Sequence, residues 1–211
     1  MTGLNELKSE VADTMRRLVR RGLTTTTGGN VSAKLLSGEL CITPSQIDKE
    51  FITSEQIGVI STAGVFLATG LKLSMETAMH QAIYRQRQEI MAIVHAHPPW
   101  ATACTAMAPK HLRTDLIAET WALLRDPVWV PYALMGTNSL AERVAESVEQ
   151  GEVLLLENHG VLAVGTSLWQ AYSRLEALEE AAKISFICFL SGEPRGLSKE
   201  QKVAIDLMMG H

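Results

Sequence analysis

The chain has little cysteine, no long apolar run and no excess of positive charge. Its three cysteines, Cys41, Cys104 and Cys188, stand far apart among 211 residues, and none belongs to a CxxC pair. An odd, dispersed set argues against a disulfide framework and points to free thiols in a reducing compartment. No apolar run reaches the roughly 20 residues needed to span a bilayer, and the N-terminus carries no signal-peptide core. The formal net charge of −4 excludes a basic field over the whole domain for holding nucleic acid. The one basic cluster, Arg16, Arg17, Arg20 and Arg21, reads as the solvated face of a helix. Repeats, low-complexity tracts and linkers are missing too. Residues 1–211 are therefore expected to form a single soluble, cytoplasmic domain with one sizeable core.

What is present is alternating helix and strand patterning. Leu4, Leu7, Val11, Met15, Leu18 and Val19 recur at helical spacing, and Gly22 is placed to stop that helix. TTTTGGN (24–30) has no period and reads as a loop. VSAKL and ELCIT surround Ser37-Gly38 as a hairpin, which Pro44 ends. IGVIS and VFLAT straddle Ala63-Gly64 as a second. Ser74 is placed to cap a helix running to Arg87, with Met79, Ile83 and the small Ala78 and Ala82 on its buried stripe. EIMAIVHAH follows as a strand. HLRTDLIAETWALLRD predicts a helix ending before Pro127, and VWVPY an extended segment. Ser139 and Glu142 form a capping-box pattern for a helix to about Gln150. EVLLLENHGVLAVG reads as strand, tight connection, strand. A long helix from Leu168 to Leu190 follows, ended by Gly192, Pro194 and Gly196, and a short last helix starts after Ser198. Hairpin-like pairs without strict βαβ alternation predict an α+β layered domain around a mainly antiparallel sheet.

The chemistry concentrates in histidine. In IVHAHPPW, His95 and His97 sit at i and i+2 on a predicted strand, so both side chains leave the same face. Their Cβ atoms lie roughly 7 Å apart, so two imidazoles can converge on one ion about 2.0–2.1 Å from each nitrogen. Pro98 and Pro99 cannot continue a central strand, which puts the pair at its exit. Alone, such a pair is equally a polar strand end. His159 lies between two apolar runs, where Asn158 and Gly160 also fit a plain turn. Three neutral imidazoles with an open fourth position suit zinc or another divalent metal. Glu76, in the first turn of the Ser74-capped helix, is a fourth candidate, and helix-dipole stabilisation accounts for it as well. His80, four residues on, reads as structural beside Met79 and Ile83 and stays outside the metal set. TGGNVS lets N–H groups converge on an oxyanion, although it matches neither the Walker loop nor GxGxxG, and a flexible loop explains it equally. TPSQ (43–46) and Ser74 could add donors.

Taken in order, GGNVS, ITPS, KLSMETAMHQAIY, IVHAH, VPYALMGT and LLLENHGVLAVG resemble the class II aldolase/adducin family across roughly Leu7 to Leu190, and most closely its L-fuculose-1-phosphate aldolases. The resemblance implies an α/β/α layered fold around a central, mainly antiparallel sheet. It implies a zinc-dependent enzyme, with Mn2+ or Co2+ as alternatives, usually a homotetramer with active sites between subunits. By position, His95, His97 and His159 match the metal ligands. Glu76 matches the catalytic acid/base, which can also ligate the resting metal. Gly29, Asn30, Ser45 and Ser74 match positions that hold the substrate phosphate. The implied reaction is retro-aldol cleavage of a short sugar phosphate, such as a ketose 1-phosphate, through a metal-stabilised enediolate. Dehydratase, 4-epimerase and keto-acid-phosphate decarboxylase activities are the same-fold alternatives. An adducin-like binding module is disfavoured because all three histidines and Glu76 are retained. The match departs at Met75, where a second serine is usual, and at Gln46, where glycine is usual. It also departs around Ile117 and in the tail MMGH, where tyrosines are usual; Glu119 and Trp121 stand near the first of these.

Overall fold

The central strands are apolar on both faces, and such strands need cover on both sides. In the computed structural model, which describes residues 3–67, 70–107 and 112–210, helices supply that cover. The strands are β1 (Asn30–Lys34), β2 (Leu40–Ile42), β3 (Gly58–Ile60), β4 (Ala92–Ala96), β5 (Val128–Val130), β6 (Val153–Leu156) and β7 (Gly160–Gly165). They form one sheet in the order β3-β2-β1-β4-β7-β6-β5. All neighbours pair antiparallel except β5 and β6. The helices are α1 (Leu4–Arg20), α2 (Thr77–Gln86), α3 (Pro99–Thr105), α4 (Ala118–Leu124), α5 (Asn138–Ser147), α6 (Leu168–Ser191) and α7 (Lys199–Met209).

Side-chain alternation along each strand sorts the core into two layers. On β4, Ala92, Val94 and Ala96 pack with Val11 and Met15 of α1 and Leu175 and Leu178 of α6. Ile93 turns the other way, toward Met79 and Ile83 of α2 and Leu140 and Val144 of α5. On β6 and β7, Leu155 and Val161 join the first layer, Leu154 and Leu162 the second. This is the expected α/β/α arrangement. Each fully buried large side chain contributes about 1.5–3 kcal/mol. All three cysteines are free thiols, and no helix of the described residues is long and apolar enough to cross a membrane.

Local chemistry corrects the expected boundaries. Helix α2 begins at Thr77, with Glu76 as its N-cap. Ser74 makes the preceding turn instead: its hydroxyl accepts from the Glu76 N–H at 3.3 Å and its carbonyl from the Thr77 N–H at 3.1 Å. Thr137, not Ser139, caps α5, its hydroxyl accepting from the Leu140 N–H at 3.3 Å. The helix expected over 111–126 shrinks to α4. The Arg113 N–H is taken by Ser185, and the Arg113 and Lys202 side chains converge on Asp115; His111 lies outside the described residues. VFLAT supplies only a bridge from Phe66 to Ile60, and its Ala68 and Thr69 lie outside the described residues. Helix α3 was not expected. Pro99 sits at its start, where a missing N–H costs nothing, so the prolines that stop β4 also begin a helix.

The capping assignment makes a direct prediction. Thr137→Ala should lower the unfolding free energy by about 1 kcal/mol, while Ser139→Ala should stay within about 0.5 kcal/mol. Denaturant titration of the two variants checks it, and the reverse order would restore Ser139 as the cap.

Candidate active site

Strand β4 lies between β1 and β7, and its fourth residue, His95, is paired with Asn30 and Leu162. The His95 Nδ1–H donates to the Val161 carbonyl at 2.9 Å. A carbonyl only accepts, so the neutral ring carries its proton on Nδ1 and presents a bare Nε2. His97 lies one residue past the strand end. Ring centroids are 4.9 Å apart for His95 and His97, 4.9 Å for His95 and His159, and 5.5 Å for His97 and His159. One nitrogen from each ring lies within 4.8 Å of the others. The β6–β7 connection delivers His159. Asn158 takes a φ of 52°, and its N–H is held by the Thr105 carbonyl at 3.1 Å, so the segment is a tight turn and also presents a site residue. Gly160 permits the close approach: a Cβ there would lie 2.8 Å from the Ala96 carbonyl oxygen and collide with the His97 ring.

Glu76 faces this cluster, 7% exposed. Its Oε2 is 3.2 Å from His95 Nε2, and its Oε1 is 3.2 Å from His159 Nε2. Burial works to raise its pKa, but His95 and His159, when protonated, override that and hold it well below the usual carboxylate range. His97 is pushed down to about 3, chiefly by burial and then by His95 and His159, so it presents a neutral ring. With neutral rings the atoms conflict. His95 Nε2 and Glu76 Oε2 are both acceptors. Among the described residues nothing completes a hydrogen bond to His95 Nε2, His97 Nε2 or Glu76 Oε1. Buried acceptors facing one another repel unless protons or a cation stand among them. A divalent cation fits: three imidazoles are a ligand set of catalytic zinc sites, and imidazole also suits other divalent ions.

The loop before β1 packs directly on these rings. A Cβ on Gly28 would lie 2.9 Å from His97 Nδ1, and one on Gly29, where φ is 65°, would lie 2.6 Å from the His95 carbonyl oxygen. Lys49, 4% exposed, donates to the carbonyls of Thr27 at 2.9 Å, Gly28 at 3.1 Å and Gly29. Burial pushes its pKa down to about 8, against the pull of Glu76. Because a trans peptide sets C=O and N–H on opposite sides, carbonyls turned toward Lys49 turn the N–H groups of residues 28–30 away from it. Among the described residues the Gly29 N–H meets no acceptor, and the buried Thr24 hydroxyl has no partner.

Asn30 is tied to both Glu76 and His80. Its Nδ2 donates to Glu76 Oε2 at 2.7 Å, and its Oδ1 meets His80 Nε2. Ser45 is tied to Lys72, two residues before Ser74, by an N–H to carbonyl bond of 2.9 Å. Gln46 has a φ of 61°, so it keeps the left-handed backbone that glycine adopts freely. Met75 is 67% exposed. Ile117 and Glu119 line a cavity of about 1250 Å³ bordered by Gly151 and Thr166, at the end of β6 and β7 opposite His159. The Trp121 indole donates to Asp206 at 3.2 Å. The structure thus brings together Glu76, His95, His97 and His159, sets Gly29 and Asn30 against them, and carries Ile117 and Glu119 away. Sequence reading missed Lys49, Ser32, His80 and Tyr84. The four-residue spacing of Glu76, His80 and Tyr84 was visible, but the strand they face was not.

Gly160→Ala should cost at least tenfold in zinc affinity, within the 10- to 100-fold range for disturbing a ligand's support. A competition titration against a chromophoric chelator reads it, and unchanged affinity would detach Gly160 from the site. A second prediction concerns acid. Burial pushes the His80 pKa down to about 3 from an ordinary value near 6.5. The unfolded chain therefore takes up a proton below about pH 6.5 that the folded chain refuses until about pH 3. Stability is full above that window and is lost as pH falls through it. In metal-free protein, the unfolding free energy should drop up to about 1.4 kcal/mol per pH unit more steeply than in His80→Gln between pH 6 and 4. Parallel slopes would show that His80 carries its proton in the folded state.

Comparison with known proteins agrees with this geometry. Residues 9–186 match the family described as Class II Aldolase and Adducin N-terminal domain. The 3-oxo-tetronate 4-phosphate decarboxylase of Escherichia coli (strain K12) is 30% identical over 184 residues, 86% of each chain. The L-fuculose phosphate aldolase of Methanococcus vannielii is 36% identical over 161 residues, 76% of this chain and 84% of that one. A solved L-fuculose 1-phosphate aldolase superposes with a TM-score of 0.87 at 31% identity, covering 98% of this chain and 97% of its own. With its sheet, its three converging histidines and this match over most of its length, the chain belongs to the class II aldolase and adducin family.

Proposed function

We propose that this protein is a metal-dependent lyase that cleaves a short phosphorylated ketose, such as a ketose 1-phosphate, by a retro-aldol reaction. The observation that carries the reading is a pair of buried acceptors, His95 Nε2 and Glu76 Oε2, set 3.2 Å apart beside the unpartnered Nε2 of His97. A divalent cation held by His95, His97 and His159, zinc in our reading, supplies a Lewis acid for negative charge developing on the substrate's carbonyl and hydroxyl oxygens. Glu76, ionised at rest, is placed to act as base. In the condensation direction it takes the proton from the carbon beside the ketone, and microscopic reversibility makes it the donor to that carbon in cleavage. Gly29, Ser45 and Ser74 border the place for the phosphate, with the free Gly29 N–H and the Lys49 charge behind it. Asn30 borders it too: one of its two amide protons goes to Glu76 and the second stays available to the substrate. Exposed Met75, Tyr132, Leu134 and Met135, on segments that touch at Gly136, support a homotetramer with sites at subunit boundaries. Three unpaired thiols support a cytoplasmic setting.

A second reading, decarboxylation of a keto-acid phosphate, has its own support. Cleavage releases a hydroxyl proton as the aldehyde forms, and a tyrosine is the expected group to handle it. Of the three tyrosines, Tyr84 is buried against Ser32 and Tyr172 packs on Arg17 with its hydroxyl on Glu176. Only Tyr132 is exposed. Loss of carbon dioxide frees no such proton.

The test is to incubate zinc-loaded protein with ketose 1-phosphates and with 3-oxo-acid 4-phosphates. Aldehyde is scored by coupled NADH oxidation, carbon dioxide by a carboxylase-coupled assay. Aldehyde from a ketose phosphate is expected. Carbon dioxide without aldehyde would replace cleavage by decarboxylation, and neither product would overturn both. Glu76→Gln should keep the metal and lose roughly 10²- to 10⁴-fold in turnover. Full activity in that variant would remove Glu76 from the chemistry.

A further inference from the structure

The polar groups behind Glu76 form one chain. The Tyr84 hydroxyl lies 2.9 Å from Ser32 Oγ, and Ser32 Oγ lies 2.6 Å from His80 Nδ1. His80 Nε2 meets Asn30 Oδ1, and Asn30 Nδ2 lies 2.7 Å from Glu76 Oε2. All five residues are buried. Two periodicities build the chain. Glu76, His80 and Tyr84 recur every four residues at and along α2, while Asn30 and Ser32 recur every two on β1. Four helical residues rise about 6.0 Å and two strand residues about 6.6 Å, so the rows stay in step and interleave.

Chemistry fixes the direction of every bond. The Glu76 carboxylate can only accept, so Asn30 presents its NH2 there and its carbonyl oxygen to His80. A flipped amide would set two acceptors 2.7 Å apart. The His80 Nε2 must therefore donate, which in the neutral ring leaves Nδ1 to accept from Ser32, and Ser32 then accepts from Tyr84. Burial keeps His80 neutral, with its pKa pushed down to about 3. Each donor is polarised by the one behind it, and such rows strengthen cooperatively.

We infer that His80 is a positioning residue for Glu76, the middle of a one-way row of donors that pins Oε2 and leaves Oε1 to carry the proton. The inference rests on the reading of Glu76 as proton carrier given above. A row that merely satisfied buried polar atoms would stabilise the fold without steering turnover, and the two roles separate experimentally. His80→Leu breaks the row. His80→Gln can rebuild it, because its amide can donate to Asn30 and accept from Ser32. Tyr84→Phe removes only the last donor.

In the zinc-loaded protein, His80→Leu should lower kcat at least 100-fold, with KM within threefold and zinc stoichiometry unchanged. His80→Gln should recover at least tenfold of that loss, and Tyr84→Phe should lose three- to tenfold in kcat. The Asn30 side-chain amide supplies a readout independent of activity. In ¹H–¹⁵N spectra one of its protons should be shifted downfield and slow to exchange in the wild type, unprotected in His80→Leu and protected again in His80→Gln. Wild-type kcat and amide protection in His80→Leu, or a folded His80→Gln no better than His80→Leu, would overturn the inference. If His80→Leu does not fold, wild-type kcat and amide exchange in Tyr84→Phe would overturn it equally. The spectra need no substrate, so a wrong assignment of the reaction leaves this test standing.

Discussion

A carboxylate buried among imidazole nitrogens is the constraint on which the rest of the site depends. Protonated His95 and His159 hold Glu76 below the ordinary carboxylate range, and both its oxygens point at histidine nitrogens. Stripped of protons, that arrangement is a set of lone pairs in a poorly solvated space, which is costly unless positive charge stands among them. A divalent cation fits such an arrangement. Metal dependence is general to the family of this chain. In this chain the fixed tautomer of His95 and the converging nitrogens of His97 and His159 make a group that could hold a metal ion.

The fold serves that constraint by controlling how closely backbones approach. Strand β4 is sandwiched between β1 and β7, so His95 is locked by pairing on both sides. The glycine loop before β1 and Gly160 at the start of β7 both pack where a Cβ would collide. Lys49 gathers three loop carbonyls and turns the opposite N–H groups outward. The result is one free backbone amide, the Gly29 N–H, and one fixed ammonium close to the candidate metal site. Gln46 adopts a φ of 61°, a left-handed backbone that glycine takes at less cost.

Several parts of this were legible in the residues alone. Strand alternation followed by two prolines put the histidine pair on one face at a strand exit, and the order of six motifs named the family. The long first and sixth helices and the β6–β7 turn were readable because each rests on a strong local period or an unambiguous breaker. Other features were not. Ser139 and Glu142 made a convincing capping box, yet Thr137 won the position because the chain turns two residues earlier. The helix expected across 111–126 gave way to side chains of α6 and α7 that claim Arg113 and Asp115. His80 looked like core packing because its partners, Ser32 and Asn30, lie some fifty residues away on a strand whose pairing no local pattern specifies.

The sequence by itself nominated the candidate residues: three histidines, one carboxylate and a glycine-rich turn. It could do so because residue type and short-range period are local properties. Only the tertiary structure decided what those residues are to one another. It tied the Asn30 amide to Glu76, moved Ile117 and Glu119 to the opposite end of the sheet, and put a buried lysine behind the loop. Those outcomes depend on the register between β1 and α2 and on which carbonyls a buried ammonium can reach. Contacts of that kind are set by the packing of distant segments, not by any pattern within one of them.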